Sequence, residues 1–308
     1  MQLPQSGAMV ACLSDEGVVA ISGRHRVRWL NGMVTQDVKS LAPGQGRYGC
    51  VVDVKGKVVA DFDVFTEGDR FLLRLASARV APTLEHLRRY VVAEDVRMTD
   101  LSSERSVVAV RGLRAAEVLG RPAADVTLAA LGGVEVLVAR SRRAGPDAWD
   151  VLGPADAGRA IVGDLVRRGA EVATPAALEA RRVALAVPRF GPDFDETTIP
   201  LEARLDDAVH GSKGCYLGQE VIARMAHRGH TNKELRQLRL DGDVPAGAEL
   251  WPVEGGPKAV GRLTSVAAGL ALGWVRREHF APGTTLVAVA GAVRVLAVIT
   301  DRAIRATE

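Results

Sequence analysis

Residues 212–220 concentrate the reactive side chains of this chain of 308 residues. Their sequence, SKGCYLGQE, places a cysteine two residues after a lysine, and a nearby ammonium group favours the reactive thiolate form of a thiol. The two glycines allow a sharp turn or a close approach to a ligand. Gln219 and Glu220 can hydrogen-bond the backbone or accept N–H groups of a ligand. A structural loop around a buried cysteine is the alternative, because free cysteines are often buried.

Two histidines, His227 and His230, follow this segment and could join Cys215 in binding a metal ion. No second cysteine and no carboxylate stands at a tight ligand spacing, and an HxxH pattern is common by chance. We therefore predict no metal site and interpret the two histidines as part of a surface loop.

The elements that must position these residues are strands mixed with helices. Good turn sequences at 55–57 and 67–69 predict hairpins. In the first helix we expect Ser22 as the cap and Gly32 as the stop, and in the second helix we expect Pro82 in the first turn. Strands joined by hairpins and mixed with helices indicate an α+β fold with antiparallel sheets. The predicted strands are 18–22, 48–54, 58–65, 71–76, 107–111, 134–140 and 148–152, and the predicted helices are 24–31, 81–90, 113–119, 155–168 and 176–186.

The last third of the chain differs from the part before it. Residues 189–205 hold two prolines and acidic residues without a clear period, as functional segments and linkers do. Beyond them, alternating runs separated by glycine and proline turns predict a small all-β barrel or sandwich. We therefore predict a body of residues 1–234, made of two units that can interleave, about 1–105 and 106–234, and a C-terminal β-barrel of residues 235–308. The predicted barrel strands are 235–240, 259–265, 270–275, 284–290 and 293–299.

Composition excludes several classes of protein. With 47% apolar and 25% charged residues the chain is globular. The net charge is +3, aromatics are 4%, and no basic run is interleaved with aromatics, so we expect no nucleic-acid partner. Three cysteines without a CxxC pair argue against a disulfide framework and a structural zinc site. No uncharged apolar run reaches the length of a membrane span, so we expect no membrane partner and a cytoplasmic location.

Residues 213–224, KGCYLGQEVIAR, resemble the KGCYxGQE signature of the YgfZ family of folate-binding proteins. Members of that family are relatives of the glycine-cleavage T-protein, an aminomethyltransferase, and are linked to iron–sulfur cluster assembly and repair. Residues 30–38, 188–191, 199–203 and 261–265 resemble further family segments, for which fold maintenance is the alternative. The resemblance implies a T-protein-like three-lobed arrangement of two mixed α+β units and a barrel around a folate site.

The resemblance also implies a ligand and site residues. Tetrahydrofolate, or a one-carbon derivative of it, would be the cofactor. Cys215 would lie near the mouth of the folate cleft with Lys213 tuning its thiol, and iron ligation, redox chemistry and covalent relay all stay open as its role. The cofactor-binding side chains would be Asp150, Lys213, Tyr216, Gln219, Glu220 and Arg224.

Two acidic residues take their expected roles from the T-protein. Residues 56–64, GKVVADFDV, align with the T-protein segment GGIIDDLIV, so Asp61 stands at the second acidic position, and Ala60 replaces the first. Asp61 would be the catalytic carboxylate, which can stabilise a developing cation or move a proton during one-carbon transfer. An exposed strand residue without a role in function is the alternative. Asp150 stands where the T-protein has its pterin-binding glutamate.

One segment departs from the T-protein. Residues 178–186, LEARRVALA, replace its ARDSLRLEAG segment, so that Leu178 and Ala184 stand where the folate-binding arginine and glutamate would be. This departure argues against full aminomethyltransferase activity and weakens the folate prediction.

Three hypotheses follow. The first is a tetrahydrofolate-binding accessory protein that supports iron–sulfur cluster assembly or repair, with iron–sulfur client or assembly proteins as partners. The second is an enzyme, an aminomethyltransferase that transfers a one-carbon unit to tetrahydrofolate, which Asp61 favours. The third is a retained fold whose folate site has decayed. The first is preferred, because the signature contains a cysteine and residues 178–186 depart from the transferase.

Overall fold

The computed structural model describes residues 7–229 and 231–300, without the side chains of residues 227 and 228. His230 and the side chain of His227 therefore lie outside the described residues. The chain divides into two compact units, which alternate along the sequence. The N-terminal unit comprises Gln2–Thr174 and Ala208–Gln219, and the barrel unit comprises Pro175–Asp207 and Glu220–Glu308. The boundary predicted between residues 234 and 235 stays a prediction.

Two sheets form the N-terminal unit. The five-stranded sheet has the order β3-β4-β5-β2-β6, and the six-stranded sheet has the order β11-β1-β7-β10-β9-β8. Neighbouring strands are antiparallel except β1 and β11. The strands are β1 (Met9–Leu13), β2 (Glu16–Ser22), β3 (Gly46–Val52), β4 (Val58–Glu67), β5 (Arg70–Ala76), β6 (Arg97–Asp100), β7 (Arg105–Arg111), β8 (Val126–Leu131), β9 (Val134–Arg140), β10 (Ala148–Pro154) and β11 (Glu171–Val172).

The inner faces of the two sheets pack against each other. Phe65 and Leu72 of the five-stranded sheet share one apolar cluster with Val107 and Leu152 of the six-stranded sheet. Successive side chains of a strand point to opposite faces, so each sheet also has an outer face. Helices cover the apolar side chains of both outer faces. The helices of this unit are α1 (Arg26–Met33), α2 (Ser77–Arg88), α3 (Ala115–Val118) and α4 (Gly158–Arg167).

The barrel unit holds a closed six-stranded barrel of order β12-β15-β14-β13-β16-β17. Its interior is aliphatic, and two helices accompany it. An α+β fold with antiparallel sheets followed by a C-terminal barrel is thereby confirmed. The elements are α5 (Pro175–Ala184), α6 (Gln219–Arg228), β12 (Lys233–Leu240), β13 (Glu249–Pro252), β14 (Gly261–Ala267), β15 (Leu270–Arg276), β16 (Thr285–Ala290) and β17 (Val293–Ile299).

Several details of the predicted helices are wrong. Ser22 does not cap α1, because β2 continues through it and the helix begins at Arg26 without a side-chain cap. Gly32 lies inside α1 rather than ending it. Helix α2 begins four residues earlier than predicted, so Pro82 is its sixth residue and leaves one helical hydrogen bond unmade. Among the described residues, no helix is long and apolar enough to cross a bilayer.

Candidate functional site

The cysteine loop, residues 212–219, rests on the C-terminal end of α1. The ammonium of Lys213 donates hydrogen bonds to the carbonyl oxygens of Val34, at 2.6 Å, and of Asn31. The N–H of Leu217 donates to the carbonyl of Gly32 over 3.0 Å. A helix leaves its last carbonyls without helical partners and carries a partial negative charge there, so a cation suits this end. The loop is therefore fixed to the helix by one charge and by backbone hydrogen bonds.

Both glycines of the signature have backbone conformations that only glycine adopts readily. Gly214 has φ +91°, and nothing lies within 4 Å of a Cβ placed there. Gly218 has φ +77°, and a Cβ there would lie 2.2 Å from the carbonyl oxygen of Asp53. Gly214 is therefore needed for the turn, and Gly218 is needed for both the turn and the close approach of two chain segments.

The structure exposes the thiol of Cys215, whereas Cys50 is buried. Exposure removes the alternative of a loop built around a buried cysteine. Burial lowers the pKa of Lys213 from 10.5 to about 8, and the nearby Asp37 opposes that shift. Because the Lys213 ammonium is directed at the backbone of α1, its tuning of the thiol stays a prediction.

Tyr216 connects the cysteine loop to the five-stranded sheet. Its ring lies 5.2 Å from the ammonium of Lys213, measured to the centroid. Burial raises the pKa of Tyr216 to about 12, and the neighbouring thiol of Cys50, on β3, adds to the shift. The side-chain oxygen of Gln219, the first residue of α6, accepts a hydrogen bond from the N–H of Tyr216 over 3.1 Å. Gln219 thus supports the start of α6.

The remaining signature residues lie on α6, in the barrel unit. Glu220 and Arg224 are both exposed. Sequence reasoning missed this helix, although Val221, Ile222 and Met225 follow its period. Among the described residues, no group of three or more His, Cys, Asp and Glu side chains could hold a metal ion.

Cys50 lies on the same face of the five-stranded sheet as four polar side chains. Residues directly opposite each other in an antiparallel pair point to one face. Strands β3 and β4 pair Tyr48 with Asp63 and Cys50 with Asp61, and β4 and β5 pair Asp63 with Arg74. This face is the inner face of the sheet. A continuous row of side chains therefore begins on the edge strand β3, near Tyr216, and continues into the space between the two sheets.

Asp61 is only 2% exposed and is already paired. Its Oδ2 accepts hydrogen bonds from the hydroxyl of Tyr48 at 3.0 Å and from Nε of Arg143 at 2.9 Å. Nη1 of Arg143 lies 2.8 Å from Glu16, and the backbone N–H of Arg143 donates to Asp63 over 2.9 Å. The interpretation of Asp61 as an exposed strand residue is therefore wrong.

Asp150 is fully buried and lies between two arginines. Its carboxylate is 2.6 Å from Nη2 of Arg111 and 2.7 Å from Nε of Arg74. Arg74, which is 1% exposed, also lies 2.7 Å from Asp63 and 2.8 Å from Glu16. Four carboxylates thus share three guanidinium groups between the sheets. We call this the inner-face cluster, and its members are Glu16, Asp61, Asp63, Arg74, Arg111, Arg143 and Asp150.

Burial and charge act in opposite directions within this cluster. Burial raises the pKa of Asp63, and the nearby Asp150 adds to the shift. Burial would also raise the pKa of Asp150, but Arg111 and Arg74 hold it below its usual range. The surrounding carboxylates raise the pKa of Arg74 and of Arg143 against burial, so both stay charged. Burial therefore favours the protonated form of Asp63, whereas the two arginines favour the charged form of Asp150.

Sequence reasoning did not identify the cations of this cluster. The signal available was a charged residue within an apolar strand, as Arg74 is in RFLLRLA. Arg143 gave no comparable signal, because it lies in the short helical turn Arg142–Ala144 between β9 and β10.

Comparison with known proteins identifies the family. A model of the GCVT N-terminal domain matches residues 5–213, and a model of the CAF17 C-terminal beta-barrel domain matches residues 232–303. An aminomethyltransferase of Rubrobacter xylanophilus is 32% identical over 265 residues, which cover 82% of this chain and 70% of the relative. One of Thermosynechococcus vestitus is 27% identical and covers 86% of this chain and 76% of the relative.

A solved structure has the same fold. The crystal structure of the glycine cleavage system aminomethyltransferase T from Bartonella henselae superposes with a TM-score of 0.85, and the match covers 99% of this chain and 89% of that one. Its sequence is 20% identical, so this similarity concerns the fold alone. The GCVT model matches more than half of the chain, and the Rubrobacter relative supports the match. The chain therefore belongs to the GCVT family, as a member with a CAF17-type C-terminal β-barrel.

Proposed function

We propose that this protein binds tetrahydrofolate and supports the assembly or repair of iron–sulfur clusters as a cytoplasmic accessory protein. The observation that carries the proposal is the exposed thiol of Cys215 on a loop fixed to α1. An exposed, fixed thiol is available to iron or to a partner's sulfur, whereas a packing cysteine would be buried. The family uses tetrahydrofolate, which supports folate as the ligand.

The pairing of Asp61 favours an accessory role over a transferase. A carboxylate that stabilises a developing cation must meet that cation with its charge available. Here the charge of Asp61 is already balanced by Arg143 at 2.9 Å. Leu178 and Ala184 also replace the folate-binding pair that the transferase resemblance implies.

An aminomethyltransferase is the second candidate, because the relatives that resemble this chain over most of its length carry that name. For this activity Asp61 would be the catalytic carboxylate and Asp150 the acceptor of the pterin N–H edge. In both candidates Lys213, Tyr216, Gln219, Glu220 and Arg224 belong to the proposed ligand site.

Calorimetric titration with tetrahydrofolate tests the shared part of both candidates. We expect saturable heat and a rise in the unfolding temperature with ligand. Absence of both at millimolar ligand would leave a retained fold without a folate site.

Two further experiments separate the candidates. In cells that lack the native gene, Cys215→Ala should fail to restore iron–sulfur enzyme activity. Cys12→Ala, which removes the other exposed thiol, should restore it like the unaltered protein. Equal rescue by both variants would contradict the accessory role.

Incubation with an aminomethylated carrier protein and tetrahydrofolate should release no ammonia, and catalytic release would establish the transferase instead.

A further inference from the structure

Arg143 is held rigidly against Asp61. Its guanidinium bridges Asp61, at 2.9 Å, and Glu16, at 2.8 Å, while its own backbone N–H donates to Asp63. The side chain is 8% exposed. The backbone and the guanidinium are thus fixed independently, so this cation keeps its place beside Asp61.

Arg143 pairs with two carboxylates, those of Asp61 and Glu16. Asp61 depends on Arg143 for its charge balance more than Glu16 does. Glu16 also lies 2.8 Å from Nη1 of Arg74, so it keeps a cationic partner when Arg143 is altered. Asp61 would keep the hydroxyl of Tyr48, which is neutral. Removal of the Arg143 charge therefore leaves an unbalanced negative charge at Asp61.

Reduced folates differ in the charge that they carry at the ring nitrogens. Tetrahydrofolate is neutral there, whereas 5,10-methenyltetrahydrofolate has a positive charge delocalised between two nitrogens. Unit charges in a protein interior interact over several ångströms. The charge of Asp61 can therefore change the binding free energy of a ligand that does not contact it.

We infer that Arg143 is a specificity-determining residue: it cancels the charge of Asp61, so that the site accepts neutral reduced folates in preference to the methenyl cation. The inference rests on the proposed folate binding. It assigns to Arg143 an effect exerted through Asp61, and no contact with the ligand.

Calorimetry on the full chain tests the inference in weakly acidic buffer, in which the methenyl ring stays closed. The quantity compared is the ratio of the Kd for methenyltetrahydrofolate to the Kd for tetrahydrofolate. Arg143→Gln should shift this ratio about tenfold towards the cation, and Asp61→Asn should shift it in the opposite direction. Arg143→Lys, which keeps the charge, should retain the ratio of the unaltered protein. Arg105→Gln is the matched control, because Arg105 pairs with Glu67 outside the cluster.

The outcomes separate the inference from the function on which it rests. If the unaltered protein binds no tetrahydrofolate, both the function and the inference fail. If it binds tetrahydrofolate but Arg143→Gln and Asp61→Asn leave the ratio unchanged, the function stands and the inference is overturned. A shift in Arg143→Lys equal to that in Arg143→Gln also overturns it, because shape would then explain the effect. If a thermal scan shows Arg143→Gln unfolded, Asp61→Asn decides alone, since Arg143 keeps Glu16 there.

Discussion

The cysteine loop and the inner-face cluster both hold charge within the N-terminal unit, and they do so with different partners. The loop sets one ammonium, that of Lys213, against backbone carbonyls at the end of α1. The cluster sets three guanidinium groups against four carboxylates, all from side chains. Loss of the Lys213 cation removes hydrogen bonds from two neutral carbonyls, whereas loss of a guanidinium leaves buried carboxylates without a counter-charge. The loop should therefore tolerate change better than the cluster.

The largest effect is expected from Arg74→Met. Removing one partner of a buried ion pair costs about 3–5 kcal/mol, and Arg74 pairs with three carboxylates, so we expect a loss of about 5 kcal/mol in the free energy of unfolding. Lys213→Met should cost about 1–2 kcal/mol. Urea unfolding of the two variants measures the difference. An Arg74→Met loss no larger than that of Lys213→Met would contradict the comparison.

Gly218→Ala should lower the free energy of unfolding more than Lys213→Met does. Its φ of +77° and the approach of the Asp53 oxygen to 2.2 Å from a Cβ predict a loss of about 2–3 kcal/mol. Gly214→Ala has φ +91° but nothing near its Cβ, so about 1 kcal/mol is expected. Thermal unfolding of this matched pair separates close approach from backbone conformation, and equal losses would show that the approach has no effect.

Within the cluster, Asp63→Asn should change stability by less than about 1 kcal/mol, because burial already disfavours the charged form of Asp63. The folded state binds this proton more tightly than the unfolded state does. The contribution of Asp63 to stability therefore falls as pH rises above about 4, the usual carboxyl value. Unfolding measured against pH should show this fall in the unaltered protein and not in Asp63→Asn.

Asp150→Asn is the contrasting control. Arg111 and Arg74 hold the pKa of Asp150 low, so its contribution is present above the unfolded pKa and is lost as pH falls. We expect a loss of about 3 kcal/mol at neutral pH. Equal effects of Asp150→Asn and Asp63→Asn would show that the two carboxylates are equivalent.

A separate pH effect concerns the proton of Lys213. Its pKa is lowered from 10.5 to about 8, so between these values the unfolded state binds more protons than the folded state. The free energy of unfolding should therefore rise with pH across that window, relative to Lys213→Met. Denaturant titrations at several pH values measure the slope. A slope of the opposite sign would mean that the carbonyls of α1 outweigh the cost of burying the charge.

Contiguous sequence patterns predicted much of the fold. Strands β9 and β17 match their predicted ranges residue for residue. Five strands were missed: β1, β6, β8, β11 and β13. Of these, β6 and β11 each lie at the edge of a sheet with mostly exposed residues and so lack a strong apolar alternation. Helix α6 was missed because its period is short and follows directly on the loop.

The cysteine loop was predicted as a candidate site because its residues adjoin in sequence. The cluster was only partly predicted, since Asp61 and Asp150 were identified but their arginine partners were not. Arg143 is 82 positions from Asp61, and Arg111 is 39 from Asp150. Sheet pairing and sheet packing create those contacts, and neither has a local sequence pattern.

The sequence by itself determined which residues could react, the alternation that makes sheets and a barrel, and the glycines that permit the loop. Only the tertiary structure decided which of those groups keep their charge available. The reason is physical: the reactivity of a thiol or carboxylate depends on burial and on neighbouring charge. For Asp61 and Asp150 that neighbour is an arginine from a distant segment of the chain.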